Sequence, residues 1–437
     1  MEAPPQENLP RKMKPTVFIV LCATLWASIC QGFHVAFFPQ EALHRGAQLK
    51  FNLIQYVSEN PGLFQAWFPL FFAHSVHRFG AKNVYFNGLY LVGVTNIFLG
   101  LCTLFCEGQT FLFVSFWTRQ AQVIGDCAVF VSSVAILVKE YSNYSASFFG
   151  YYRCLGVITV TCFSFLNFAY FQAWTSIHYF LTQAISGIVM IVGALGASYF
   201  FVATNYQELP SPQLESPEDR LFEDVRFGQK LVQIVKLPST LLSIGSILTA
   251  SFIMSYIVIG LEPLHLRHFA LEPLSWDKAF IQSTSTIVAA FSCLFWGFLS
   301  DRVFAPATVI LNGTILTTFA FLLLGPVNII PIRPSLNLTI TMLVLQGIGI
   351  SAQWIGGFSL MTKGQNFGME INTLAMISGI WLSTVGTGVF WGPLAGVLMA
   401  GLLDFSAFIL PLVIMQLILC ISSGIFIFFN NRRSMNL

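Results

Sequence analysis

Four charged residues interrupt long apolar stretches of this chain and are the residues best suited to chemistry: Arg119, Asp126, Arg153 and Glu262. In a lipid bilayer an ionised side chain near the midplane costs roughly 3 kcal/mol or more, so it faces the protein interior or water and has a partner. Groups held in this way bind protons or charged solutes. The pattern therefore indicates solute or proton binding rather than bond cleavage.

The spacing of three of these residues favours ion pairs. Asp126 follows Arg119 by two helical turns, so both side chains point to nearly the same face but start about 10 Å apart along the axis. Arg153 lies in the next apolar segment at a depth similar to that of Asp126. We expect either a structural Asp126–Arg153 pair between neighbouring helices or a direct transport role for one of these residues.

Glu262 is followed directly by Pro263 within an apolar segment. A proline frees a backbone carbonyl and bends a membrane helix, which is tolerated where the bend borders a cavity. A carboxylate beside such a bend can bind a proton and an organic cation in alternation. The simpler interpretation is a water-exposed acid at a helix end.

The composition identifies the class of protein that carries these residues. The chain is 55% hydrophobic and only 9% charged, with a mean hydropathy of +0.73, which is typical of a polytopic membrane protein. A net charge of +2, spread over short loops, argues against nucleic acid as a partner. The nine cysteines show no metal-ligand spacing, and we expect neither a metal nor a cofactor. Phosphate-binding and hydrolase motifs are absent from the sequence, so we do not expect an enzyme.

A membrane-spanning helix needs about 20 mostly apolar residues. The sequence predicts an all-α membrane protein with twelve such segments, at residues 15–38, 52–76, 83–106, 109–138, 145–171, 176–203, 238–268, 277–300, 305–328, 335–362, 372–401 and 405–430.

The motifs repeat with one offset of about half the chain length. Arg78 and Arg302 are 224 positions apart, as are Gln122 and Gln346. Paired halves are how many membrane transporters are built. The longest polar interval separates the sixth segment from the seventh. We therefore predict a tail at 1–14, a first six-helix half at 15–204, a linker at 205–237, a second half at 238–430 and a tail at 431–437.

Basic residues predict the orientation. With the N-terminus inside, fourteen Lys and Arg residues fall on the cytosolic side and five on the opposite side. Cytosolic loops of membrane proteins carry the excess of positive charge. Both termini and the linker are therefore expected in the cytosol.

Two loops contain a motif suited to gating. The second copy has Gly297, Asp301 and Arg302, whereas the first keeps Arg78 and Gly80. These loops resemble the Gly-x-x-x-Asp-Arg-x-Gly-Arg-Lys loop motif of the major facilitator superfamily. Glycine permits close helix approach, and an Asp–Arg pair at a helix end can hold one of two conformational states. An ordinary charge cluster that anchors topology is the alternative.

Arg119, Gln122 and Gly125 are spaced as in a further motif of that family, Arg-x-x-Gln-Gly-x-Gly, although Val123 replaces its first glycine. The resemblance implies that Arg119 serves proton coupling or contacts substrate charge, with Gln122 beside it.

The eleventh segment contains Gly388, Gly392, Pro393 and Gly396. Glycines four positions apart permit tight helix contact, and proline permits bending. We expect a rocking interface there. The matching place in the fifth segment lacks the Gly-Pro pair that the family usually keeps.

Other polar or aromatic residues lie on segments that surround the central cavity in this fold or next to it. They could line that cavity, although packed residues with one hydrogen bond are more common: Gln31, His34, Gln353, Trp354 and Trp381.

A resemblance more specific than the superfamily is to the vesicular amine transporter family, in particular its polyamine transporter-like branch. It rests on residues 37–42, 79–82, 261–263, 324–327 and 392–396 and spans nearly the whole chain. The resemblance implies a major facilitator fold and proton-driven uptake of an organic cation, polyamine or monoamine-like, into acidic vesicles. It implies a vesicular or endolysosomal membrane, with the plasma membrane as an alternative.

Two departures concern the substrate. Arg153 stands where the polyamine branch has Glu, and Leu382 where monoamine carriers have Asp. A carrier of a neutral or anionic solute is therefore an alternative. A non-transporting receptor or scaffold with the same fold is another, because the first loop motif and the Gly-Pro pair are incomplete.

Overall fold

The computed structural model describes residues 15–46, 60, 62–170, 176–203, 217–269, 276–325, 335–364 and 368–435, which are almost entirely helical. Twelve long helices follow the twelve apolar segments: α1 Pro15–His44, α2 Gly62–Phe79, α3 Ala81–Phe105, α4 Gly108–Glu140, α5 Ser145–Tyr170, α6 Ser176–Ala203, α7 Pro238–Gly260, α8 Trp276–Arg302, α9 Pro306–Leu324, α10 Leu336–Lys363, α11 Ile371–Ala400 and α12 Phe405–Met435.

Within the described ranges, ten of these helices are long and apolar enough to cross a bilayer. The other two, α2 and α5, contact α11 and α8, respectively, and so pack the first six helices against the last six. α2 and α5 therefore help to join the two halves.

The helix contacts repeat with a shift of six. In the first half α1 packs on α5, α3 on α4 and α3 on α6; in the second half α7 packs on α11, α9 on α10 and α9 on α12. This repetition in space matches the repeated motifs in sequence. The exact domain bounds at 204 and 238 remain a prediction.

Glycine pairs make two of the repeated contacts possible. A Cβ atom on Gly88 of α3 would lie 3.0 Å from the carbonyl oxygen of Gly125 on α4, and one on Gly313 of α9 would lie 2.7 Å from that of Gly349 on α10. Only small residues allow helices to approach so closely. Gly125 and Gly349 are themselves separated by the 224-residue offset.

The interval between the halves contains a helix that sequence inspection did not predict. This linker helix, Pro217–Lys236, has Phe227 and Ile234 buried. The Phe227 ring lies 5.0 Å from the ring of His74 and 5.3 Å from that of His77, both on α2. Its polar composition concealed an amphipathic helix whose apolar side rests on the bundle.

We predict that Gly125→Ala destabilises the protein because its methyl group would lie 3.0 Å from the Gly88 carbonyl oxygen and 3.1 Å from the Val92 backbone nitrogen. Overpacking of this kind costs about 1–3 kcal/mol. Unfolding in detergent micelles measures the loss. The matched control is Gly196→Ala on α6, where nothing lies within 4 Å of the added carbon. Equal stability of the two variants would contradict the prediction.

Candidate transport site and gate

A buried ion pair forms the polar centre of the first half. Arg119 is 2% exposed, and its Nη1 donates to Gln122 Oε1 at 2.6 Å. The same nitrogen lies 3.9 Å from Asp126 Oδ2. The long arginine side chain thus spans the two helical turns that separate the backbones. Asp126 therefore has its cation on its own helix.

The hydrogen-bond network continues to α3 but leaves some groups unsatisfied. Gln122 Nε2 donates to Asn96 Oδ1 at 3.3 Å, and Asn96 Nδ2 donates to the Val92 carbonyl at 3.0 Å. Arg119 Nε and Asp126 Oδ2 are buried without a hydrogen-bond partner among the residues that the structure describes. Buried charges with unmet hydrogen bonds are costly, which is typical of groups that exchange a proton, water or ligand.

The two candidate residues of α1 behave differently. His34 is buried, with its Nδ1 3.3 Å from Tyr179 Oη on α6, whereas Gln31 is half-buried. Gln183, also on α6, is fully buried, and neither of its amide atoms has a hydrogen-bond partner in the described part of the chain. The polar centre therefore includes Tyr179 and Gln183, which no motif marked in the sequence.

Arg153 does not pair with Asp126 in the described part of the chain, so the expected structural pair is wrong. Its guanidinium carbon instead lies 5.2 Å from the ring centre of Trp354 on α10 and 5.0 Å from that of Trp381 on α11. Arg153 belongs to the first half and both tryptophans to the second. The structure brings these three predicted residues together at the interface between the halves.

Gln353 has a different environment from the predicted cavity lining. Its Nε2 donates to Thr317 Oγ1 on α9 and to Gln416 Oε1 on α12, each at 3.2 Å. These partners lie within the second half, away from the first. Neutral amides thus occupy a polar centre in the second half, where the first half has charges.

Glu262 lies in a π-helical turn, Leu261–His265, that directly follows α7. The side chains of Glu262 and Pro263 are outside the described set, so their predicted role is untested. The neighbouring His265 has its Nε2 2.8 Å from Thr339 Oγ1 on α10. Turns of this type frequently occur at functional sites.

Asp301 makes the polar contacts between the halves at one end of the bundle, which we call the Asp301 end. Its fully buried carboxylate accepts from the Ser147 amide and hydroxyl, each at 2.7 Å, and from the Ala146 amide at 3.3 Å. Lys363 Nζ lies 3.1 Å away. A carboxylate at the N-terminus of a helix, here α5, is stabilised by its free amides and dipole.

The other residues of the second loop motif support this contact. Arg302 does not join Asp301 but lies over the rings of Tyr144, at 5.6 Å, and Phe298, at 5.0 Å. A Cβ atom on Gly297 would lie 2.7 Å from the Ala146 carbonyl oxygen. The expected Asp–Arg pair is therefore replaced by contacts from each residue to the α4–α5 region.

The first loop motif is built differently. Arg78 is exposed at the end of α2, and Gly80 has a φ of +82°, which favours glycine, between α2 and α3. At this point Lys230 of the linker helix pairs with Glu370 at 3.2 Å, just before α11. The linker helix thus takes part in the contact here.

The glycines of α11 have two distinct faces. Added Cβ atoms on Gly388, Gly392 and Gly396 would lie 2.6–3.2 Å from backbone atoms of α7, in the same half. The buried Pro393 lies among them. Gly386 faces α2 instead, where a Cβ atom would lie 2.6 Å from the Ala66 nitrogen. The prediction of a rocking interface at Gly388, Gly392 and Gly396 is therefore wrong, since they pack α11 onto α7.

Aromatic rings close the Asp301 end below the polar contacts. Phe149 of α5 stacks on Phe358 of α10 at 3.8 Å, and Phe130 of α4 stacks on Trp381 of α11 at 5.4 Å. All four side chains are buried. The halves are thus in dry contact here, and solute passage at this end requires them to separate.

We predict that Asp301→Asn weakens the contact between the halves at this end, because hydrogen bonds to a charged group contribute about 1.5–3 kcal/mol. A loss of about 1.4 kcal/mol changes an opening equilibrium tenfold. Hydrogen exchange of the Ala146 and Ser147 amides, followed by mass spectrometry, should accelerate at least about tenfold. Glu370→Gln, which removes a pair with a 70% exposed carboxylate, is the control and should change little. Unchanged hydrogen exchange in Asp301→Asn would contradict the role of the Asp301 contacts in closing this end.

The comparisons with known proteins agree with this architecture. The sequence model of the Major Facilitator Superfamily matches residues 20–364. MFS-type transporter SLC18B1 of Mus musculus is 25% identical over 369 residues, covering 82% of this chain and 74% of that protein. The rat protein of that name is 24% identical over 397 residues, covering 89% of this chain and 82% of the relative. The human protein of that name is 24% identical over 396 residues, covering 87% of this chain and 79% of the relative.

A solved structure shares the fold. The Major Facilitator Superfamily transporter FucP, crystallised in the outward conformation, aligns with a TM-score of 0.65 and 11% identity, over 94% of this chain and 98% of that one. The resemblance to the vesicular amine transporter family is confirmed, at the low identity of a divergent member. The chain therefore belongs to the major facilitator superfamily, whose members are secondary transporters.

Proposed function

We propose that the protein exchanges protons for a small organic cation by alternating access across a vesicular or endolysosomal membrane. The Asp301 end faces the cytosol in this proposal, in keeping with the excess of basic residues expected there. The observation that carries it is the partly accessible Asp126 carboxylate, whose Oδ2 lies 3.9 Å from Arg119 Nη1 and lacks a hydrogen-bond partner within the described ranges.

Asp126 is suited to bind a proton in one state and to remain ionised in another. Its side chain is 26% exposed, whereas that of Arg119 is 2% exposed. Protonation of the carboxyl group would remove the counterion of a buried guanidinium, and this cost couples proton binding to rearrangement of the first half.

Glu262 supplies a second carboxylate in the proposal, in the second half. Its π-helical turn and the following proline leave backbone groups outside regular helical hydrogen bonding. Such irregular backbone inside a membrane protein is tolerated where it lines a cavity. We expect Glu262 to bind substrate and proton in alternation.

One observation favours a second candidate, a carrier of a neutral or anionic solute. Arg153 lies at the interface of the halves, and none of the described residues forms a hydrogen bond with its Nε. A guanidinium in this place could bind a carboxylate or phosphate. Membership in the transporter superfamily makes a non-transporting receptor or scaffold the weaker alternative.

We predict that proteoliposomes with an acidic lumen accumulate labelled spermidine and lose this accumulation when an uncoupler dissipates the gradient. The proton gradient would drive the cation inward against its own gradient. Accumulation that persists with the uncoupler would contradict proton coupling. The second candidate would be favoured if the proteoliposomes took up a labelled organic anion, and if the unlabelled anion, but not spermidine, inhibited that uptake.

In the same assay we predict that Asp126→Asn and Glu262→Gln abolish gradient-driven accumulation, because neither variant can take up and release a proton at that site. Asp126→Asn should retain exchange of labelled for unlabelled substrate, which needs no net proton transfer, whereas Glu262→Gln should weaken both. Asp404→Asn, which changes an exposed carboxylate before α12, is the control. If Asp126→Asn or Glu262→Gln accumulated substrate at the wild-type level, the proposed role of that residue would be wrong.

A further inference from the structure

Arg153 contacts two tryptophans of the other half, Trp354 and Trp381. Both rings are buried, Trp354 at 5% exposure and Trp381 at 0%. Each is held within its own half: Trp354 Nε1 donates to Ser251 Oγ at 3.0 Å, and Trp381 Nε1 donates to the Trp354 carbonyl at 3.3 Å. The rings therefore form a fixed surface that Arg153 reaches from across the interface.

We propose that Trp354 and Trp381 form a binding site for a planar organic cation of the guanidinium class, and that Arg153 is its tethered occupant. Tryptophan is the strongest partner for a cation over an aromatic face, and the attraction grows when water is excluded. Arg153 lies two turns inside α5, where the neighbouring Phe149 stacks on Phe358 and limits access of water. Occupation of the site by Arg153 thus holds the Asp301 end closed.

The hydrogen-bond inventory supports a cation–aromatic role for Arg153 over an ion pair. No carboxylate pairs with its guanidinium among the described residues, and its Nε is buried without a hydrogen-bond partner. The Trp354 and Trp381 ring centres are within 5.2 Å of the guanidinium carbon. A cation in such a place is stabilised by the ring faces and is lost from them when the halves part.

Parting of the halves leaves the two rings open to the compartment at the Asp301 end. While the Arg153 side chain is present, a free organic cation that entered there would occupy its place and hinder closure; without that side chain, the cation would fill the space between the halves and favour closure. In the wild type the tethered guanidinium has a high effective concentration, on the order of mM or more, so dilute free cations displace it poorly. Removal of Arg153 exposes the site to free ligand.

Two variants separate charge from packing. Arg153→Met keeps a side chain of similar length without charge, and Arg153→Ala empties the space. We expect both to accelerate hydrogen exchange of the Ala146 and Ser147 amides, which Asp301 covers in the closed state, by about twofold to thirtyfold, the range that corresponds to cation–π contacts. Arg432→Ala is the control, because its cation lies over Phe428 of the same helix.

Guanidinium chloride at low millimolar concentration is the probe ligand, with sodium chloride at equal ionic strength as its reference. It should restore slow exchange in Arg153→Ala but not in Arg153→Met, where methionine fills the site. Wild-type exchange in Arg153→Met, or no restoration by guanidinium in Arg153→Ala, would overturn the proposal. If Arg153→Ala fails to elute as a single folded species, the Arg153→Met result decides alone. The assay needs no transport, so its failure is distinct from failure of the proposed function.

Discussion

Close approach of α5 to α8 is the constraint on which the rest of the structure depends. A Cβ atom on Gly150 would lie 2.5 Å from the Cys293 carbonyl oxygen, and one on Gly297 would lie 2.7 Å from that of Ala146. Larger residues at these two positions would separate the helices. At this separation Asp301 reaches the amides at the start of α5, and Arg153 reaches the tryptophans of the second half. The Asp301 contacts, which we call the gate, and the contact of Arg153 with the tryptophans thus both depend on the crossing of α5 and α8.

The two halves share a fold but not a charge distribution. Charged Arg119 and Asp126 lie at the centre of the first half, whereas amides such as Gln353 and Gln416 lie at a polar centre of the second. An amide pair keeps the same hydrogen bonds whatever the pH, while an ion pair changes when its carboxylate takes up a proton. Among the described residues, the polar centre of the first half is therefore the one whose contacts change on protonation, whereas the amide centre of the second half keeps its hydrogen bonds.

Sequence reasoning predicted the helices well because apolar length is a strong signal in a membrane protein. It also found charged residues at the contact of α5 with α8, since charges are rare enough in such a chain to stand out. Their partners were harder to predict. Arg153 was assigned to Asp126 because both lie at one depth, but depth does not specify which face of α5 meets which neighbour. For the same reason, the spacing of Gly388, Gly392 and Gly396 indicated a tight helix contact but not that the contacted helix is α7.

The α2–α11 contact and the α5–α8 contact occupy corresponding places in the two halves but are held by different interactions. By the 224-residue offset His77 corresponds to Asp301, but a histidine in this place stacks on Phe227 and provides no carboxylate for the start of α11. The Lys230–Glu370 pair holds that region instead, and an exposed pair contributes only about 0–1 kcal/mol. The buried Asp301 contacts contribute about 1.5–3 kcal/mol for a charged hydrogen bond. The α5–α8 contact therefore supplies most of the polar stabilisation of the closed end, and the α2–α11 contact depends on the linker helix.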